Sequence, residues 1–483
     1  MVVCPMASLR RIVPLFLLVT ACSSTPATVT ETDGSSSGTG SSTAMPDGSS
    51  TAAPDASTGS SGVAPTTGPD ETGESSTAGT TVAPDPICGN GFVEGDEPCD
   101  DGNSEVDDGC NSKCQRTGVP IWTQSWDSGG KKDDYAEAVA MDAEGNIYIA
   151  GLAITADFQR DALVRKLDPE GKELLKFTYA GQLALEDDAL AIAVGDDGSI
   201  YVVGGEQIAA DGPFQAWARK YDAQGKEQWA FVRASALPDV GSSFMNGVAV
   251  DEQGAVYVAG RESDTEKSIF KAYLMRLDGS DTPVWTVETP AAGGTAHSGV
   301  AITPEGDIVY ATALRNDKKK FSALVGKYDA SGKKVWSKTY LDEEGYALAV
   351  SVAADGTIAV SGLSFNVNDA DMWIAKLDAD GGLLWTDKYD SEVGGDVGWA
   401  VGHSAAGDIY LGGDVTVNGQ QQNVMVRRYT PDGELYWFST YNDEENLYDN
   451  VAGLAVGSDR MVVVGVDFVL GSGSNHWIRA YQL

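Results

Sequence analysis

Histidine is nearly missing from this chain, with His297, His403 and His476 the only three in 483 residues. Three scattered imidazoles cannot build a histidine-rich metal centre, and no HExxH, Walker or GxSxG phrase gathers a catalytic set. Cysteine stops at Cys114, so residues 115–483 carry no thiol for redox or nucleophilic work. Positive charge is scarce: 33 Lys and Arg face 71 Asp and Glu, a formal charge of −38. Such a surface repels phosphate backbones and anionic lipid headgroups, which excludes nucleic acid as a partner. The apolar stretch at 12–21 is too short to cross a bilayer as a helix.

What the chain does have is a strand-rich unit repeated seven times from about residue 136 to the end. Its first strand is small-aliphatic-small: Ala138-Val139-Ala140, Ala191-Ile192-Ala193, Gly247-Val248-Ala249, Gly299-Val300-Ala301, Ala349-Val350-Ser351, Ala400-Val401-Gly402 and Gly453-Leu454-Ala455. Period-two alternation puts the small residues on one face, which suits strands crowded around an axis. The second strand, as in Ile147-Tyr148-Ile149, ends in a glycine in every copy except the fourth, where Thr312 stands. A third strand carries a basic slot: Lys166, Lys220, Arg276, Lys327, Lys376 and Arg428, with Ala480 the exception. This slot reads as a blade-internal ion pair or an apolar-covering stem rather than a ring of anion ligands. The fourth strand brings an aromatic anchor at Phe177, Trp229, Trp285, Trp336, Trp385 and Trp437, read as packing between blades.

A period near 50 residues with four short strands predicts an all-β fold, a closed seven-bladed β-propeller over 119–483. The last repeat stops at its third strand, and Ile121-Trp122-Thr123-Gln124-Ser125-Trp126 matches the missing fourth, so the N-terminal strand is expected to close the ring. The Gly145-to-Gly151 phrase resembles the seven-bladed repeats of bacterial extracellular proteins. That resemblance implies a fold and a surface setting without a defined reaction. The Trp-bearing repeats are also similar to those of quinoprotein dehydrogenases, whose site needs vicinal cysteines that this propeller lacks.

Ahead of the repeats stand three shorter segments. Residues 1–21 read as an export signal, with Arg10 and Arg11 before the apolar stretch. Val19-Thr20-Ala21-Cys22 resembles the lipobox of bacterial lipoproteins, which implies acylation of Cys22 and anchoring in a membrane. Ser23 after it points to the outer membrane, at the cell surface or periplasmic face. Residues 22–86 are Ser, Thr, Gly, Pro and Ala with eight acids and no Lys or Arg, a composition that cannot repay the entropy of folding and reads as a tether.

Residues 87–116 hold Cys88, Cys99, Cys110 and Cys114, an even set that argues for two disulfides in one of three pairings. The CxxC knuckles of structural zinc are absent. Its CGNG, CDDGN and DGC pieces resemble the cysteine-rich repeat of myxobacterial surface proteins. Asp100, Asp101, Asp107 and Asp108 cluster at glycine turns, which makes calcium the one cofactor the module suggests; Asx-Gly turns also explain them.

The turns joining strands one to two and three to four are uniformly short, whereas the other face bears long, unlike loops. Binding usually resides in such loops. Acids gather there (Asp133, Asp134, Asp187, Asp188, Glu343, Glu344, Asp396, Glu444, Glu445), beside Tyr135, Phe244, His297, Tyr346, Trp399 and Tyr448. This acid-aromatic rim is expected to bind a protein, glycan or envelope component without catalysis, the chain being a monomer. The alternative is an extracellular lyase or hydrolase working at the same face.

Overall fold

The computed structural model describes residues 87–483, apart from 96, 104, 106–107, 130–132, 155–159, 182, 184, 211, 237–240, 265–268, 290–297, 316–319, 342, 368, 444–446 and 472. Every regular element in it is a strand, and none of its elements is a helix long and apolar enough to cross a membrane. Cys22, the tether, His297, Asp107, Glu444 and Glu445 lie outside the described residues.

Seven four-stranded antiparallel sheets follow one another along the chain. Blades 1 to 6 span residues 135–179, 187–233, 242–288, 299–339, 345–389 and 397–441, each in simple up-and-down order. Blade 7 takes residues 449–482 and completes itself with Pro120–Trp126 from the other end of the chain. Trp122 pairs with Ala480 and Trp126 with His476 across this junction. The first strands of successive blades touch all the way round, and that of blade 7 returns to that of blade 1, so the ring is closed.

Small residues on the first strands follow from this crowding. A Cβ on Gly453 would lie 3.1 Å from the Cα of Ala138 in the next blade, and one on Gly299 would lie 3.0 Å from the Cα of Ala349. Around them the second and third strands supply the buried core, such as Ile147, Tyr148 and Ile149 in blade 1.

The short-turn face is held by a repeated contact between blades. Indole Nε1 atoms of Trp122, Trp285, Trp336 and Trp385 donate to the carbonyls of Pro169, Ala330, Ala379 and Pro431 in the following blade, at 3.0, 3.0, 3.3 and 3.1 Å. A turn glycine with positive φ lies against the ring: Gly332 under Trp285, Gly381 under Trp336, Gly433 under Trp385. Blade 1 departs from the expected anchor. Its register sets Leu175, not Phe177, opposite Lys166, in the place where Trp229 faces Lys220. Phe177 lies two residues further on and packs on Tyr221, with ring centres 4.8 Å apart.

The basic slot resolves into ion pairs with first-turn acids of the same blade: Lys166–Asp142 at 3.7 Å, Lys220–Asp197 at 4.0 Å, Lys327–Asp307 at 3.1 Å and Arg428–Asp408 at 2.7 Å. The cations also lie over the second-strand tyrosines Tyr148, Tyr201 and Tyr410.

The cysteine module is pinned by Cys88–Cys114 and Cys99–Cys110. Asp100 organises its turns, accepting from the amides of Gly89, Asn90, Gly91 and Gly102. Asp101 accepts from the Cys110 amide at 3.1 Å, and Asp108 from Asn103 Nδ2 at 3.0 Å. The module runs into the closing strand through a tight segment: Thr117 N donates to Gly109 O, and Phe438 N of blade 6 donates to Arg116 O.

Candidate functional site at the long-loop mouth

One defect recurs in the inner strand of the blades, near its long-loop end. In blade 1 Ala136 pairs with Gly151 and Ala138 with Ala150, leaving Glu137 as an unpaired bulge. Leu190, Asn246, Leu348, Trp399 and Ala452 are skipped in the same way in blades 2, 3, 5, 6 and 7. Bulges re-aim a side chain and recur beside functional sites. The bulge also explains the glycine that lies within the second strand of every blade but the fourth, because a Cβ on Gly151 would collide with the Tyr135 carbonyl. The strand runs on past this glycine, which was expected from sequence to end it. Blade 4 has Thr312 at that glycine, and its counterpart Ser298 donates through Oγ to Thr312 Oγ1 at 3.2 Å.

The bulge slot therefore carries Glu, Leu, Asn, Ser, Leu, Trp and Ala on a frame that is otherwise repetitive. Around two of these residues polar groups collect across four consecutive blades. Trp399 of blade 6 donates through Nε1 to Asp414 Oδ2 at 2.5 Å, and the Val451 amide of blade 7 donates to Asp414 Oδ1 at 2.7 Å. Burial pushes the Asp414 carboxyl up to about 8 despite those donors, with Asp396 and Asp449 adding to the rise. Tyr448 accepts from Asn450 Nδ2 at 3.3 Å. Burial raises its phenol, and Asp414, Tyr135 and Glu137 lie close enough to contribute. Glu137 is pushed up to about 7 by burial and by Asp188 of blade 2, against the pull of Arg160. Arg160 and Asp188 pair at 2.7 Å.

Of the rim aromatics expected from sequence, Tyr135, Trp399 and Tyr448 belong to this cluster. Phe244 sits elsewhere on the rim, 5.0 Å from Phe214 between ring centres and under the Arg261 guanidinium. Tyr346 stacks on Phe321 at 4.9 Å and meets Phe365 edge-on. The five described aromatics are thus not one platform, and His297 lies outside the described residues. Sequence reasoning missed Glu137, Asn246 and Asp414. The signal for the first two was the residue just before each small-aliphatic-small run, where the copies differ most.

Most rim acids hold loops. Asp134 accepts from the amides of Ser128 and Ile154, at 2.6 and 3.0 Å. Asp396 accepts from Ser391 and Thr416 at 2.6 and 2.9 Å, Asp187 from Gly181 at 2.5 Å, and Asp449 from Asp443 at 3.0 Å. One repeat position thus fastens the interblade loop and, in blades 1 and 6, the end of the second strand. Asp133 caps the Ser474 amide, Glu344 the Phe321 amide, and Glu343 pairs with Lys388. Asp369, Asp371 and Asp390 bring carboxylate oxygens within 4.8 Å of one another on blade 5, with Asp371 accepting from Asn366 Nδ2 at 2.6 Å.

The two described histidines are packing residues. His476 is fully buried at the blade 7 to blade 1 junction, where Nε2 donates to the Leu152 carbonyl at 3.1 Å, and burial lowers it to about 3. His403 bonds through Nδ1 to Ser351 Oγ at 3.0 Å, and burial lowers it to about 4.

Residues 84–115 match the model of a domain of unknown function, DUF4215. No curated protein matches the chain. Among solved structures, Sqt1 from Chaetomium thermophilum is similar at 15% identity, covering 76% of this chain and 99% of that one, with a TM-score of 0.42. Polysaccharide lyase Uly1 is similar at 8% identity over 72% and 90%, with a TM-score of 0.46. A Hadza microbial sialidase, Hz136, is similar at 10% identity over 68% and 73%, with a TM-score of 0.40. Likeness this remote carries no activity to the present chain.

Proposed function

We propose that this is a surface lipoprotein, acylated at Cys22 in the outer membrane, whose propeller binds a protein, glycan or envelope component at its long-loop mouth without catalysing a reaction. In this reading residues 22–86 tether the propeller away from the bilayer, with a root-mean-square span of roughly 40–50 Å. The cysteine module is of the myxobacterial surface type.

The observation that carries the reading is the coincidence of divergence and chemistry. The blades are alike wherever residues serve the fold and unlike at the bulge slot, where Glu137 and Trp399 stand within a polar cluster spanning four blades. Convergent aromatic and hydrogen-bonding groups on a rigid frame are the usual make-up of a binding site. The test is affinity capture from solubilised envelope with the full chain and with Trp399→Ala. Saturable capture lost in the variant supports the reading; identical capture by both removes the mouth from it.

A second reading has one observation in its favour. Glu137 and Asp414, held near 7 and 8, have the proton affinity of general acids or bases, which an extracellular lyase or hydrolase would use. Turnover of a polysaccharide or ester substrate that disappears in Glu137→Gln would establish it.

A further inference from the structure

We infer that the ligand of the mouth is an uncharged, hydroxyl-rich saccharide chain. This rests on the binding reading above and narrows it by the chemistry of the cluster.

Among the described residues, two amide oxygens on inner strands lack a hydrogen-bond partner: Oδ1 of Asn246, the bulge residue of blade 3, and Oδ1 of Asn450, whose Nδ2 is engaged by Tyr448. A buried acceptor without a donor is costly, so each calls for a neutral donor such as a hydroxyl or a water that a hydroxyl can replace. Trp399, Tyr135 and Tyr448 are each partly exposed and add aromatic surface with a polar handle. Faces of C–H bonds alternating with hydroxyls match that combination, and a sugar ring supplies both.

Charge argues against the other ligand classes. A cation would need ionised carboxylates, but Glu137 and Asp414 hold their protons to near neutrality and Arg160 stands in the same cluster. An anion would find Arg160 already paired with Asp188 at 2.7 Å, on a chain with a large negative net charge. An extended peptide would be recognised chiefly by its backbone along a free strand edge. Each blade leaves two free edges here: those of the inner strands are ringed by one another, and those of the outer strands lie at the opposite side of the sheet, three strands from the bulge slot.

The experiment is binding of the full chain in detergent to an array of neutral and acidic glycans with oligolysine and mixed peptides, followed by titration calorimetry of the hits. Wild type is compared with Trp399→Ala, with Asn246→Leu, which removes an acceptor while keeping its volume, and with Val335→Ser on an exposed outer strand. Thermal unfolding of each variant separates lost binding from lost fold. The expected result is a neutral oligosaccharide whose affinity falls at least tenfold in Trp399→Ala and Asn246→Leu and holds in Val335→Ser. Hits confined to acidic glycans or peptides, and dependent on Trp399, overturn the saccharide assignment and leave the mouth as a binding site. Neutral-glycan binding untouched by Trp399→Ala and Asn246→Leu also overturns it. No Trp399-dependent ligand on the array or in envelope extract overturns both readings.

Discussion

The ring of Trp437 lies against the backbone of Gly118, where a Cβ would fall 2.8 Å from the indole Cη2 and Cζ3 and 3.1 Å from Tyr481. In blades 3, 4 and 5 the anchoring tryptophan rests on a turn glycine of the next blade. Blade 7 has no such turn, because its third and fourth strands come from opposite ends of the chain. Gly118, just ahead of the closing strand, takes the place of that glycine. The segment is held on both sides: Gln482 N donates to Val119 O, and the Arg116 guanidinium lies 4.8 Å from the Tyr436 ring centre. The cysteine module leads directly into it, so the disulfides brace the junction that closes the ring.

Gly118→Ala should therefore destabilise the propeller by about 1–3 kcal/mol, the usual cost of overpacking a tight contact. Denaturant unfolding measures it. An unchanged midpoint would mean that Trp437 has room to move and that Gly118 is no substitute for the turn.

Reduction of Cys88–Cys114 and Cys99–Cys110 is expected to lower the unfolding temperature of the whole chain, not only of the module. Near-ultraviolet circular dichroism follows the propeller tryptophans, none of which lies in the module. A tryptophan transition indifferent to reductant would separate the module from the closure.

Stability should rise as pH falls from 8 to about 5.5. Burial lifts Glu137, Asp187 and Asp449 to about 7, Asp414 to about 8, and Asp396 and Asp467 to about 6. Over that window the native state holds protons that the unfolded chain, with ordinary carboxyls, has released, so the native state gains as protons are added. His403 and His476 oppose this below about pH 6.5, because burial keeps them neutral in the native state. Six carboxyls outweigh two imidazoles. A melting temperature higher at pH 8 than at pH 5.5 would contradict the balance.

Asp396→Ala removes an acceptor used by two part-buried backbone amides and should cost about 2–3 kcal/mol in denaturant unfolding. Lys166→Met should stay within about 0.5 kcal/mol, since its pair with Asp142 is partly exposed and its stem is conserved in volume. The contrast separates acids that fasten loops from a basic slot that tidies a surface.

The ring of blades was legible because the strands obey period-two patterning and the first turn of every blade but the seventh, which reads Ser458-Asp459-Arg460, carries a positive-φ glycine. The closing strand was legible too, since Ile121-Trp122 repeats Val335-Trp336. The anchor of blade 1 was not: an aromatic at Phe177 drew the eye two residues past Leu175, and only the pairing with Lys166 fixes the register. Disulfide pairing depends on three-dimensional approach and stayed open. The rim acids misled for a different reason. Asp134 and Asp396 look like ligand groups in sequence, and only the amides of Ser128, Ile154, Ser391 and Thr416 reveal them as loop fasteners.

The central claim is that function lies where the blades differ, at the bulge-lined mouth. Hydroxyl-radical footprinting of the full chain, with and without solubilised envelope material, tests it most directly. The account predicts ligand-dependent protection of Trp399, Tyr448 and Tyr135, with Trp285, Trp336 and Trp385 on the short-turn side unchanged. Protection confined to those short-turn tryptophans would contradict it.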